Sequence, residues 1–327
     1  MPPEPFAVSR PVSAEPPPSL SYAEITGKSP EELARLLEGD PAEAARLLGA
    51  AARYGIVEAQ AVYAQLLLDG RGVKRDPAAA FRWFEIAAGA GLLDATNMMG
   101  RCFELGWGVP VDRSRAAELY RDAAERGLDW GQYNYANLLA RGDGVPLDRD
   151  AALIWYRRAA DQGHVKSMNL VGRFTEEGWG GLAADPAAAE DWYRRAAEGG
   201  DFRGRFNHGA VLARRGEVEE AAGWFRKAAA TGTLGFLRSM AAYLEQQSHA
   251  GLRLIGVEVL ARCAESGEAA DLFTYGIALV EQDPDAAREW LGKAAAMGHA
   301  QAREALAETG LRGRWTLFRA HMRKAGM

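Results

Sequence analysis

Five histidines, at 164, 208, 249, 299 and 321, and two cysteines, Cys102 and Cys263, are the side chains best suited to metal binding or nucleophilic chemistry. They are scattered. No His-Glu-x-x-His, paired Cys-x-x-Cys or nucleophile elbow occurs, and two cysteines alone make neither a disulfide framework nor a metal cluster. Gly70-x-Gly72, Gly106-x-Gly108 and Gly142-x-Gly144 each precede a helix and invite comparison with a phosphate-binding loop. Such a loop needs a preceding strand and a third glycine. Here a helix pattern precedes each pair and the third glycine is missing, so these are turns. The periodic Asp residues have a local task as helix caps. No catalytic residue, metal or cofactor is therefore expected.

The turns belong to a repeat. Ala51-Ala52-x-x-Gly55 recurs at Gly91, Gly127 and Gly163, a step of 36 residues (91 − 55), and again at Gly200 after 37. Shorter units continue to Gly232, Gly267 and Gly298. Trp83, Trp155, Trp192, Trp224 and Trp290 track the period, with Leu119 in one register. Seven residues before each lies an acidic residue, at Asp76, Asp112, Asp148, Asp185, Glu217 and Asp283. Pro41, Pro77, Pro186 and Pro284 follow Asp, and Pro30 follows Ser29, an N-cap before a first helical proline. Each unit thus reads as a hairpin. Helix B runs from the acidic cap to Ala-Ala and stops at a left-handed glycine. Helix A follows and ends at the Gly-x-Gly turn. Gly100, Ala136, Gly172, Gly209 and Gly276 let helices approach closely, with the large Trp or Tyr filling the gap beside them. One hairpin cannot bury its apolar faces alone, so stacking must supply the core.

Spelled out, the unit Ala-x-x-x-Leu-Gly-x-x-Tyr/Phe-x-x-Gly-x-Gly-Val-x-x-Asp-x-x-x-Ala-x-x-Trp-Tyr-x-x-Ala-Ala-x-x-Gly resembles the Sel-one-like repeat (SLR), a relative of the tetratricopeptide repeat. The likeness covers about residues 30 to 310 and is most complete between Gly91 and Gly200. Beyond Gly200 the Gly-x-Gly-Val turn is lost, as in Arg214-Arg215-Gly216-Glu217, and the units resemble tetratricopeptide hairpins more. The resemblance implies an all-α, right-handed superhelical solenoid of stacked antiparallel helix pairs. It also implies that His164 and His299, directly after the repeat glycine, are parts of the repeat. Cysteine-rich secreted members carry a cysteine pair in each repeat, and this chain lacks such pairs.

Flanking segments differ in composition. Seven of the 14 prolines lie before residue 19, so residues 1–28 read as a proline-rich tail with little to bury. Residues 29–310 form the solenoid. In 311–327, Leu311, Trp315, Phe318 and Met322 share a helical face, beside Arg312, Arg314, Arg319, Arg323 and Lys324 and no acid. This reads as a basic amphipathic helix that caps the last repeat.

The implied function is a scaffold or adaptor that binds a partner protein or peptide on the concave face lined by helix A. One expected column reads Asn97, Tyr133, Asn169 and Phe206, and the other Arg101, Asn137, Arg173 and Ala210. Asn both donates and accepts, and Arg clamps carboxylates, so an acidic peptide segment suits them. Trp107 and Trp179, between the glycines of their turns, are candidate rim contacts, or else they fold onto a neighbouring helix. Two alternatives stand beside this one. The basic C-terminal helix could tether a regulator to a membrane surface. A hydrolase of cell-wall or β-lactam-like substrates, an activity of some cysteine-rich relatives, is the other. The excess of 44 acidic over 39 basic residues, a net charge of −5, argues against nucleic acid as a partner. With no signal peptide and no apolar run of membrane length, the expected location is the cytoplasm.

Overall fold

The computed structural model describes residues 38–308, together with Glu32 and Arg35. Among these residues there are sixteen α-helices and no strand. The tail 1–28, the Ser29-Pro30 helix start and the segment 311–327 lie outside the described residues. None of the described helices is long and apolar enough to cross a membrane.

The helices fall into two compact units, one up to His164 and one from Val165 onward. The first holds α1 (Pro41–Arg53), α2 (Val57–Asp69), α3 (Pro77–Gly89), α4 (Leu93–Leu105), α5 (Arg113–Glu125), α6 (Asp129–Arg141) and α7 (Arg149–Asp161). The second holds α8 (Val165–Glu177), α9 (Pro186–Glu198), α10 (Phe202–Arg214), α11 (Val218–Thr231), α12 (Leu234–Glu245), α13 (Ala250–Ala264), α14 (Ala269–Leu279), α15 (Pro284–Ala296) and α16 (Ala300–Glu308). Odd-numbered helices are the B type and even-numbered the A type. Within each unit most helices pack on their neighbours in chain order, though α11 packs on α13 more than on α12, and each A helix followed by a B helix packs most extensively on it.

Capping chemistry sets where most B helices begin. Asp40, Asp76, Asp112, Asp148, Asp185 and Asp283 each accept a hydrogen bond from the backbone N–H three residues on, at 2.8–3.0 Å. Two starts differ. Glu217 makes no side-chain cap bond, and α13 is capped by His249, whose Nδ1 accepts from the Gly251 N–H. Most B helices end at a left-handed glycine, as at Gly91 with φ 96°. Gly232 does not follow this expectation, since its backbone is extended with φ −68°. A Cβ there would stand 2.6 Å from the Phe236 ring, so close approach, not backbone handedness, is what glycine satisfies.

The buried column differs from the expected one by one residue. Trp83, Trp155, Trp192, Trp224 and Trp290 are only half-buried. Their successors Phe84, Tyr156, Tyr193, Phe225 and Leu291, with Tyr120 in the remaining register, are 0–2% exposed. Helical geometry explains the correction. Adjacent residues point about 100° apart, and Tyr156 lies four residues after the buried Ala152, on the same stripe. Small residues on the preceding A helix admit the large ring. A Cβ on Gly100 would lie 2.6 Å from Tyr120, and one on Gly172 2.7 Å from Tyr193. The tryptophans lie beside the stripe instead, Trp155 edge-on to Tyr135 at 5.9 Å with the Arg158 guanidinium 4.5 Å from its ring centre.

Candidate functional site

Two short ladders of polar groups tie A helices together, and they take up some of the residues expected to line a groove. In the first unit Asn97, on α4, is 6% exposed, and its Oδ1 accepts from Asn134 Nδ2 on α6 at 2.8 Å. In the second unit Asn169, on α8, is 2% exposed and accepts in the same way from Asn207 Nδ2 on α10 at 2.7 Å. Both amide oxygens are spent inside their unit. Their task in the structure is to join neighbouring A helices.

Arg101 and Trp107 come together. Arg101, one turn beyond Asn97, holds its guanidinium 4.9 Å from the centre of the Trp107 ring. The Gly106–Gly108 turn makes this geometry. Gly106 is left-handed with φ 73°, and the Trp107 N–H bonds the Cys102 carbonyl at 2.9 Å, folding the half-buried indole onto the cluster around Phe84 and Cys102. A Cβ on Gly108 would collide with the Pro77 carbonyl at the start of α3, which fixes the turn against the previous hairpin. The second unit repeats the pair: Arg173 is exposed, 5.7 Å from the Trp179 ring centre, and Trp179 meets Phe174 edge-on at 5.5 Å. Groove and rim candidates, expected as separate sets, therefore form one Arg–Trp group in each unit.

Tyr133 is half-buried on α6, among Trp130 at 5.9 Å, His164 at 4.8 Å and Tyr156 at 6.3 Å. Asn137 accepts the Tyr156 hydroxyl at 2.8 Å, which turns its amide NH2 away from that phenol. In the second unit Phe206 is half-buried against Phe225, Phe236 and Tyr243, and Ala210 is buried.

Glu104 and Glu176 were not among the expected residues. Glu104 accepts the Tyr120 hydroxyl at 2.7 Å, and Glu176 accepts both the Tyr193 hydroxyl at 2.7 Å and Arg214 Nη2 at 2.8 Å. A spacing held the clue. Arg, Glu and Trp recur together 72 residues apart (173 − 101, 176 − 104, 179 − 107), twice the repeat. Trp130 was also missed. It is 40% exposed, three residues before Tyr133 on the same helical face.

Burial is the first cause of the shifts at Tyr120, Tyr193, Cys102, Cys263, His208 and Asp201, whose carboxyl it raises. Burial, then the hydrogen bond to Glu104, holds the Tyr120 phenol far above its usual range, and Tyr193 is raised likewise by burial and Glu176. Burial pushes the Cys102 thiol up to about 11, and raises Cys263 as well, so both sulfurs stay protonated at neutral pH. Burial lowers the pKa of His208. Among the described residues no cluster of three His, Cys, Asp or Glu is placed to hold a metal ion. What the A helices can do is offer cations, amide donors and aromatic faces to another molecule.

A family model described as Sel1 repeat matches residues 57–92, 93–128, 131–164, 165–201, 212–232 and 267–299. No curated protein matches the chain. Among solved structures, the protective antigen c5321 of uropathogenic Escherichia coli, which displays an SLR fold, is similar with 28% identity and a TM-score of 0.56. That match covers 86% of this chain but 64% of the antigen, so the chain spans less than two thirds of that relative's length. A repeat protein from Oxalobacter formigenes is similar with 24% identity and a TM-score of 0.61, over 72% of this chain and 99% of that one.

Proposed function

We infer that this chain, which belongs to the Sel1 repeat family, is a protein-binding adaptor that takes an acidic peptide segment of a partner on its A helices. The observation that carries the reading is the Arg–Trp group. Arg101 and Arg173 each lie over an indole, and among the described residues neither has a carboxylate partner. A guanidinium beside an aromatic ring can still turn N–H groups to a carboxylate; at Arg101 one of them, on Nη1, already points to Met98 Sδ at 3.8 Å. Asn137 and Tyr133 extend the surface in the first unit. Asn97 and Asn169 support it from behind, through the amide ladders. The reading is non-enzymatic and places the protein in the cytoplasm, which two buried free thiols support.

Affinity purification of the full chain from its native cell, side by side with an Arg101→Ala/Arg173→Ala variant, tests it. A co-purifying protein should be lost or reduced at least about fivefold from the variant, the scale of the ~1 kcal/mol that marks a contributing interface residue. The variant should melt like the wild type, because surface substitutions usually move stability by under about 0.5 kcal/mol. Unchanged recovery of every partner by a well-folded variant would remove these residues from the binding surface.

A further inference from the structure

The partner-binding face of the first unit has a chemical bias. On α6, Trp130, Tyr133 and Asn137 stand at i, i+3 and i+7, one face of the helix. Asp94, Asn97 and Arg101 occupy the matching positions of α4, the A helix it contacts. The hydrogen-bonding capacity left for a visitor near Arg101 is weighted to the donor side. The Arg101 guanidinium only donates, with Nη1 directed to Met98 Sδ, and the Asn137 oxygen has one of its two acceptor sites filled by the Tyr156 hydroxyl while its NH2 stays available. Glu104, one turn beyond Arg101, gives one carboxylate oxygen, Oε2, to the Tyr120 hydroxyl. Asp94 lies two turns from Arg101, at the other end of the face. Beside the donors stands apolar ring surface, with Trp130 40% exposed and Tyr133 half-buried.

The complement of such a face is a segment rich in acceptors and poor in donors, with apolar rings and a carboxylate. The chain contains one. Ala14-Glu15-Pro16-Pro17-Pro18 offers five backbone carbonyls, has three prolines without an N–H, and carries one acidic side chain. Proline-rich strands dock on aromatic-lined surfaces at low entropic cost.

We propose that this segment lies across the α4–α6 face of the first unit, with Glu15 on Arg101 and the prolines on Trp130 and Tyr133. It then competes with the partner for that face. The competition rests on the adaptor reading above; the docking does not. The tether is long enough. Glu32, Arg35, Glu38 and Gly39 are helical, so only the 14 residues from Pro18 to Glu32 (32 − 18) can be drawn out, to up to roughly 45–50 Å. Three helix spacings separate α1 from α4, roughly 30 Å at 8–10 Å each. A covalent tether of this length sets a local concentration on the order of millimolar, so docking needs no more than a millimolar-scale intrinsic affinity to be substantially populated.

Photo-crosslinking in the full chain tests the proposal. Ala14 is replaced by the photoreactive p-benzoylphenylalanine, and crosslinked peptides are mapped by mass spectrometry after irradiation at micromolar concentration. The expected result is crosslinks within a single chain, concentrated in residues 93–141. Their yield should fall at least about fivefold in Glu15→Gln/Pro16→Gly/Pro17→Gly, changes confined to the tail, and in Arg101→Ala. Absent crosslinks, crosslinks to a second copy, or a yield unmoved by the tail substitutions would each overturn the docking. The tail variant should also recover several-fold more partner in the native purification. Crosslinks as expected with unchanged partner recovery would overturn the competition and leave the docking standing. Missing crosslinks alongside a partner lost from the Arg101→Ala/Arg173→Ala variant would refute the docking while the adaptor reading survives.

Discussion

Replacing Tyr156 by Ala should destabilise the first unit more than replacing the larger Trp155 beside it. Tyr156 is 2% exposed, on the stripe it shares with Ala152, and its hydroxyl donates to Asn137 at 2.8 Å. Truncating a buried aromatic costs about 3–5 kcal/mol, the lost transfer energy plus the cavity left behind. Trp155 is half-buried. Its removal forfeits the edge contact with Tyr135, worth about 0.5–1.5 kcal/mol. It also forfeits the cation–π contact with Arg158, about 0.5–1 kcal/mol at an exposed site. These two contacts supply about 1–2.5 kcal/mol and the buried part of the ring adds to them, so the ordering rests on the cavity that only the fully buried Tyr156 leaves behind. Tyr156→Phe separates packing from the hydrogen bond and should cost about 0.5–1.5 kcal/mol. Repeat arrays need not unfold in one step, so hydrogen exchange resolved by peptide is the suitable assay. Protection should drop most in α6 and α7 for Tyr156→Ala, and only modestly for Trp155→Ala. An equal or larger loss for Trp155→Ala would refute the stripe assignment.

Gly100→Ala should destabilise α4 and α5 by about 1–3 kcal/mol, because its Cβ would sit 2.6 Å from the Tyr120 ring; unchanged thermal denaturation would show that the ring moves aside freely. Asp112→Ala should cost about 1 kcal/mol by orphaning the Arg115 N–H, and Asp112→Asn should recover most of it; equal losses would argue against a capping role. Asp271, 7% exposed at its side chain, has its carboxyl held below the usual range chiefly by the hydrogen bonds from Arg238. A depressed folded-state pKa contributes stability above the unfolded value near ~4 and loses it as pH falls through the folded value. Acid titration of the second unit's stability should therefore be shallower in Asp271→Asn, and an unchanged acid limb would contradict this. With its thiol raised to about 11, native Cys102 should resist iodoacetamide at pH 8 and react once the chain is denatured; rapid native labelling would place it at the surface.

The amino-acid sequence alone determined the hairpins, because the signals that build them act within a few residues. An Asp carboxylate reaches the N–H three positions on, and a left-handed glycine stops the helix it follows, as at Asp148 and Gly163. Repetition of those signals every 36 residues set the all-α class and the order of A and B helices. Where the local signal is weak the reading was weaker too: α13 starts at His249, which no acidic register marked. Which of two neighbouring aromatics turns inward was decided only in the tertiary structure. Tyr156 and Trp155 have similar apolar character, and the choice depends on the stripe they present to a helix some 20 residues away, where Ala136 leaves the room. The polar groups of the candidate site depend on packing in the same way. Asn97 reads as a groove residue until Asn134, 37 residues later in the chain, takes up its oxygen. Arg101 and Trp107 read as separate contacts until the Gly106–Gly108 turn folds the indole beneath the guanidinium. Composition and period record which side chains are present and on which helix. Only packed neighbours distant in sequence decide which of their polar atoms remain for a partner.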